Sequence, residues 1–265
     1  MASKYLDKLR GKSIVVVGGT SGVRFATAEA SLELGANVVV VSRTQDSVTK
    51  AVRRLQTSHP AAAASIRGHV CDISSEQAEA DMAKVFDLVT GNGANPVDHV
   101  VSTAGSFPNP LALAGATPGD LVAASSHLFI GDLMLAKVAV RYLRPAYTSS
   151  VTLTGGAGTY KPPPGWPLWA GIGGAKDSLT RSLALELKPV RVNLVSLGAI
   201  RTELFDRAAA AHGHHDAAFV EAAENSSALG RIGDPGDVAE TYLALMKNHF
   251  VTGTVNVVEG GAFLI

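Results

Sequence analysis

The chain has 265 residues, a formal net charge of zero, 46% hydrophobic residues and 17% charged residues. That length suits one large α/β domain with a sizeable core, and the charge balance argues against nucleic acid or an anionic membrane as a partner. The lone Cys71 excludes an internal disulfide, the N-terminal MASKYLDKLRGKS lacks the apolar core of a secretory signal, and no apolar run approaches a membrane span, so a cytoplasmic protein is expected.

In chain order, SIVVVG (13–18), ANVVVVS (36–42), SIRGHVCDI (65–73), DHVVST (98–103), SSVTLTG (149–155), VRVNLVS (190–196) and GTVNVVE (253–259) are short, Val-rich runs of the kind buried in a parallel sheet. The run at 65–73 is the weakest of them. Helix-period segments lie between, with start signals. Ser74-Ser75-Glu76-Gln77 fits a capping box with Ser74 as cap and Gln77 reaching back. Thr117-Pro118-Gly119-Asp120 offers an N-cap, a Pro at the first helical position and an acid at the third, and Asp234-Pro235-Gly236-Asp237 repeats the device. Helices are expected across 118–143 and 166–188, and the Ala-rich pieces at 61–64 and 208–211 read as ordinary helix surface. The alternation predicts an α/β fold: a single Rossmann-type, doubly wound domain over residues 1–265, with a seven-stranded parallel sheet flanked by helices. Residues 199–233 interrupt the rhythm and are expected to form a lid over the carboxyl ends of the strands.

The first strand runs into GGTSGVRFATAEA, where Gly18 and Gly22 have the spacing that lets backbone approach a pyrophosphate. A helix begins directly behind them, and its unsatisfied N–H groups attract that anion. The stretch resembles the Gly-x-x-x-Gly-x-Gly motif of the short-chain dehydrogenase/reductase superfamily, with Arg24 in the third place. Arg24 has two readings: turned outward to add charge near the adenosine phosphates, or a solvated helix residue. At the end of the second strand an acid would bind the ribose 2′-OH of NAD. Arg43 stands there instead, after Ser42, and suits a 2′-phosphate, so NADP(H) is the expected cofactor.

The resemblance spans the whole chain and implies further cofactor contacts. Asp72, in Cys71-Asp72-Ile73, corresponds to the residue that meets the adenine amino group. Ala104 and Gly105, in STAG (102–105), lie beside the adenine ribose. Gly198, Ile200 and Thr202, in VSLGAIRTELF (195–205), hold the nicotinamide carboxamide, with Leu197 where the family has Pro. Thr20 and Ser21 complete the phosphate loop.

The family's chemistry uses Ser, Tyr and Lys with an upstream Asn. Alignment puts Gly155 at the Ser place, Trp169 at the Tyr place, Gly173 at the Lys place, and Leu128 at the Asn place, or His127 if the helix start shifts by one. Several neighbours are candidate substitutes. His127 is the best remaining acid. Lys176 lies on the same helix face as Trp169, one turn deeper than the lost Lys, where an exposed or packing Lys is the plainer reading. Tyr160 and Lys161 sit in a Pro-rich loop, and Thr154 is expected on the other side of its strand from residue 155. His212, His214 and His215 lack i, i+4 spacing and read as a solvated cluster, so no metal site is expected.

A pocket without an acid suits an electrophile that carries its own charge. Hydride addition to a neutral carbonyl makes an alkoxide that demands a proton, whereas addition to an iminium makes a neutral amine. Trp166 and Trp169, the only two Trp in the chain, would then be flat walls for a cation, or else packing residues. The missing residues, together with KPPPGW (161–166), resemble the fungal bifunctional reductase/Diels–Alderases of malbrancheamide- and paraherquamide-type indole alkaloid biosynthesis. That resemblance implies an NADPH-dependent oxidoreductase acting on a cyclic iminium from a prenylated indole dipeptide, followed by a stereoselective intramolecular cyclisation held by pocket shape. Pro163 stands where that group has an Asp. The alternatives are a carbonyl reductase with His127 or Lys176 recruited as acid, and an NADP(H)-binding regulator or scaffold without chemistry. A homo-oligomer, dimer or tetramer, is expected from the family, with no nucleic-acid or membrane partner.

Overall fold

Seven strands form one parallel sheet: β1 (Ser13–Val17), β2 (Asn37–Ser42), β3 (Ile66–Val70), β4 (His99–Ser102), β5 (Ser150–Gly156), β6 (Arg191–Leu197) and β7 (Val255–Val258). The computed structural model describes residues 3–103, 111, 113–211 and 217–265, without the side chains at 127, 208–211, 217 and 218. The strands stand in the order β3-β2-β1-β4-β5-β6-β7. Val15 pairs with Val39 on one side and Val100 on the other, so the chain order reverses between β1 and β4. Ligands bind at such a reversal, beyond the carboxyl ends of the strands.

Nine α-helices flank the sheet among the described residues: α1 (Gly22–Glu33), α2 (Gln45–Ser58), α3 (Ala78–Thr90), α4 (Pro118–Ser125), α5 (Gly131–Ala139), α6 (Pro167–Glu186), α7 (Glu203–Ala211), α8 (Ala217–Asn225) and α9 (Pro235–Lys247). Side chains alternate across a strand, and β1 splits its residues accordingly. Ile14 and Val16 pack with α1, α2 and α9, while Val15 and Val17 pack with α3, α5 and α6. A core on both faces explains why these strands read as unbroken apolar runs. The 65–73 run is paired only over Ile66–Val70.

Two of the three helix starts are as expected. Thr117 and Asp234 each cap a helix through a reciprocal box with the acid three residues on, Asp120 and Asp237. The box at Ser74 does not form, and α3 starts at Ala78 with Gln77 as an uncapped N-cap residue. The reason is local competition. Asp72 Oδ1 accepts from the Ser74 N–H at 2.9 Å and from Ser74 Oγ at 2.6 Å, which makes a turn of the segment the helix would need.

The expected helix over 118–143 is real but interrupted: α4 passes through a π-helical stretch, Ser126–Ile130, into α5. Pro118–Ala139 is thus 22 continuous helical residues, with a mean hydropathy of 1.4 over an 18-residue window, long and apolar enough to cross a membrane by length and composition. That corrects the expectation that no run approaches such a span. In the fold its Leu135, Ala136, Val138 and Ala139 belong to the core.

Candidate functional site

The glycine loop is built at the carboxyl end of β1. Gly18 turns the chain with φ +85° and its N–H donates to Val41 O at 2.6 Å. Thr20 Oγ1 lies 3.4 Å from Ser42 Oγ, tying the loop to the end of β2. Ser21 precedes α1 in extended conformation and makes no side-chain cap bond, so its hydroxyl does not cover the N-terminus of α1, the end of a helix that attracts anions. Gly22 has φ +53°, and a Cβ there would stand 2.8 Å from Thr202 Cγ2 and 3.6 Å from Glu203 Oε2. Glycine is required on both counts, sterically and conformationally. The result is a backbone cradle of the shape a dinucleotide pyrophosphate needs.

Arg24 keeps its charge beside the loop, but in a different pose from either expectation. It is half-buried, not solvated, and it folds back toward the loop instead of turning outward. Its Nη1 lies 3.5 Å from Gly18 O, in the space a Cβ on Gly18 would crowd at 3.2 Å. Burial lowers its pKa, Tyr242 and Glu203 oppose that shift, and the neighbouring Arg43 and Arg207 add to it. A guanidinium nevertheless stays charged in proteins, so Arg24, Arg43 and Arg207 make this end of the cleft positive, with Glu203 among them. Arg43 itself is exposed.

Asp72 is half-buried at the end of β3 and oriented by its bonds to Ser74. Gly198 follows β6 so closely against β7 that a Cβ would fall 2.6 Å from Glu259 Cα. Ile200 is buried and bridges Gly233, and Thr202 Oγ1 accepts from Phe205 N–H at 3.2 Å at the start of α7. Gly18, Thr20, Ser21, Gly22, Arg24, Ser42, Arg43, Asp72, Gly198, Ile200 and Thr202 thus all stand around the carboxyl ends of β1, β2, β3 and β6. Ala104 and Gly105 lie outside the described residues, as do His212, His214 and His215.

The second part of the site lies where β5 passes into α6. Gly155 is in β5, and a Cβ there would stand 3.0 Å from Leu194 Cδ2. Thr154, next to it, points to the opposite face as expected, with Oγ1 donating to Ser102 O at 2.7 Å and lying 2.6 Å from Tyr242 Oη. Trp166 is the N-cap residue of α6 and Trp169 is in its first turn; both are half-buried. The Trp166 ring covers Gly158, whose Cβ would fall 2.7 Å from Cζ3. Leu128 is half-buried in the π-helical stretch, and the His127 side chain lies outside the described set.

Lys176 is not exposed. Its side chain is 4% accessible and pairs with Asp132 at 2.6 Å, and its ammonium also donates to Thr154 O. Ser102 Oγ donates to the other oxygen of Asp132. Tyr160 Oη donates to Asp177 at 2.5 Å, and Lys161 Nζ donates to Ala262 O at 2.8 Å and to Ile265 O. Both side chains are therefore engaged away from the β5–α6 junction. The sequence reading missed Asp132, Glu203 and Thr159. Thr159 fills the space above Gly173, where an added Cβ would lie 1.9 Å from Oγ1.

Fold and loop together define a dinucleotide-binding α/β protein. The profile of the SDR-like Rossmann domain matches residues 5–265. The short-chain dehydrogenase/reductase ucsE of Acremonium sp is 38% identical over 266 residues, covering all of both chains. The short-chain dehydrogenase/reductase malC of Malbranchea aurantiaca is 33% identical over 261 residues, 97% of each chain. The solved structure of the MalC reductase/Diels–Alderase from Malbranchea aurantiaca superposes with a TM-score of 0.91 at 32% identity, covering 98% of this chain and 100% of that one. The chain belongs to the short-chain dehydrogenase/reductase family, oxidoreductases that bind nicotinamide cofactors.

Proposed function

We propose that the protein is an NADPH-dependent reductase of an iminium-type intermediate in fungal indole alkaloid biosynthesis. The observation that carries this reading is the run of residues at the β5–α6 junction: Gly155, Trp169 and Gly173 stand where relatives of this family place a hydroxyl, a phenol and an amine. Among the described residues, the ionisable side chains nearest them are already engaged. Lys176 is committed to Asp132 and Thr154 O beneath the junction, and Tyr160 to Asp177. This weighs against a carbonyl reductase with Lys176 as its acid. The likeness to the MalC reductase/Diels–Alderase supports the substrate class.

NADPH, when bound, would supply hydride, and an iminium that accepts it at carbon would end as a neutral amine, its C=N π pair becoming the nitrogen lone pair, so that no residue here would need to give a proton. The protein's part is to hold the cation between flat, neutral walls, with Trp166 and Trp169 attracting it through their ring faces and Leu128 closing the side. In the same reading Arg43, Arg24 and Ser42 receive the 2′-phosphate end, and Gly18, Thr20, Ser21 and Gly22 the pyrophosphate. Asp72, Ala104 and Gly105 serve the adenosine half, and Gly198, Ile200 and Thr202 the nicotinamide. Residues 1–265 act as a single domain, with 199–233 as its lid. The Phe205–Phe219 ring contact at 5.3 Å joins α7 to α8 within that segment. Pro163 offers no proton, so a following cyclisation is directed by shape and orientation. Exposed Leu121, Val122, Ile130 and Leu185 support a homo-oligomer.

The test is stopped-flow loss of NADPH absorbance with a cyclic iminium and with its neutral ketone analogue. Turnover of the iminium alone is expected. Fast ketone turnover would overturn the reading in favour of a recruited acid such as His127, and no turnover of either in favour of an NADP(H)-binding regulator.

A further inference from the structure

Thr159 sits at the head of the crossover from β5 to α6 and is half-buried. A Cβ built on Gly173 would lie 1.9 Å from its Oγ1, 3.0 Å from its Cβ and 3.1 Å from its Cγ2. No real side chain approaches so closely, so residue 173 is glycine because Thr159 occupies that volume. The two are one arrangement: a side chain has been taken from the helix, and a hydroxyl from the crossover stands in its space.

Between Gly155 and Ala175 the side chains able to form hydrogen bonds are Thr159, Tyr160, Lys161, Trp166 and Trp169. Tyr160 is held by Asp177, and Lys161 by the carbonyls of Ala262 and Ile265. The indoles only donate. Thr159 is therefore the one group of this crossover left that can donate and accept, and its hydroxyl has no hydrogen-bond partner among the described residues. It stands beyond the carboxyl end of β5, on the side of the sheet where parallel α/β folds bind ligands. A ribose hydroxyl, itself both donor and acceptor, is the matching chemistry. The hydroxyl is also neutral, so it adds no charge beside a cationic substrate.

We propose that Thr159 is a cofactor-binding residue whose Oγ1 hydrogen-bonds a ribose hydroxyl on the nicotinamide half of NADPH. This rests on the cofactor reading above. The experiment measures NADPH Kd by Trp fluorescence quenching for the wild type, Thr159→Ser and Thr159→Val, with thermal melts confirming each fold. Thr159→Val keeps the shape and loses the hydroxyl, and its Kd is expected to rise about three- to tenfold, the worth of one neutral hydrogen bond. Thr159→Ser keeps the hydroxyl and is expected to stay within about twofold. A Thr159→Val protein that binds as the wild type does overturns the proposal. So does a Thr159→Ser protein as weak as Thr159→Val, since that makes the methyl group the important part. If Thr159→Val does not fold, Thr159→Ala carries the same comparison. A wild type that binds no NADPH fails the cofactor reading itself, a separate result from either.

Discussion

Lys176 and Asp132 form an ion pair at 2.6 Å with side-chain accessibilities of 4% and 1%. The pair joins α6 to α5 under the end of β5. Ser102 Oγ donates to the carboxylate, and the ammonium also donates to Thr154 O. Two charges so far from water are stable only together. Lys176→Met leaves a buried carboxylate without its counter-charge and is expected to cost about 3–5 kcal/mol of unfolding free energy. The double variant Asp132→Leu/Lys176→Met removes both charges and should recover most of that loss. Urea unfolding of the wild type, both singles and the double closes the cycle. A mild Lys176→Met phenotype would mean that water reaches the pair.

Arg43 stands exposed at the end of β2, next to Ser42 and within electrostatic reach of Arg24. If it receives a 2′-phosphate, Arg43→Ala removes a charge-assisted contact of about 1.5–3 kcal/mol. NADPH Kd should then rise roughly ten- to hundredfold while NADH Kd barely changes. Titration calorimetry with both cofactors reads this directly. Equal weakening of the two would place Arg43 away from the 2′ position.

Glu203 brings a carboxylate to the head of α1, where Oε2 stands 3.6 Å from the point a Gly22 Cβ would occupy. A helix N-terminus attracts anions, and a resident carboxylate competes for the same field. Glu203→Gln should tighten NADPH binding about two- to fivefold, the worth of about 0.3–1 kcal/mol, and less so at high salt. Weaker binding in the variant would mean instead that the carboxylate anchors α7 in the bound form.

Much of the fold was legible because a two-sided core demands uninterrupted apolar strands. All seven Val-rich runs are strands, and their order follows from parallel connections. The glycine loop was legible for a similar reason: Gly18 and Gly22 are needed locally, by φ and by close approach. What escaped were contacts between residues far apart in the chain. Neither Lys176 with Asp132 nor Thr159 with Gly173 has a spacing that marks it, since each partner comes from a different element and only the packing joins them. The pose of Arg24 escaped because helix position alone does not say that a long side chain can fold back over its own loop. Ser74 failed as a cap because Asp72 took its donors first.

His99 gives the acid sensitivity of the fold. It lies in β4, 1% exposed, with Nδ1 2.9 Å from Ser150 Oγ. Burial pushes its pKa down to about 3, against a smaller upward pull from Asp98. The unfolded chain protonates its histidines near pH 6.5. Above that pH both states are neutral and His99 adds no pH dependence. Below it the unfolded state takes up a proton that the folded state refuses until about pH 3, so stability falls as pH drops through that window. From pH 7 to pH 5 the loss from this one group is about 2 kcal/mol. Urea unfolding of the wild type and His99→Gln at both pH values isolates it, because every other titrating group is common to the two proteins. The variant is less stable at pH 7 through its altered packing, but its pH 7-to-5 loss should be smaller than that of the wild type by about that amount. Identical slopes would mean that the imidazole already exchanges protons with solvent in the folded protein.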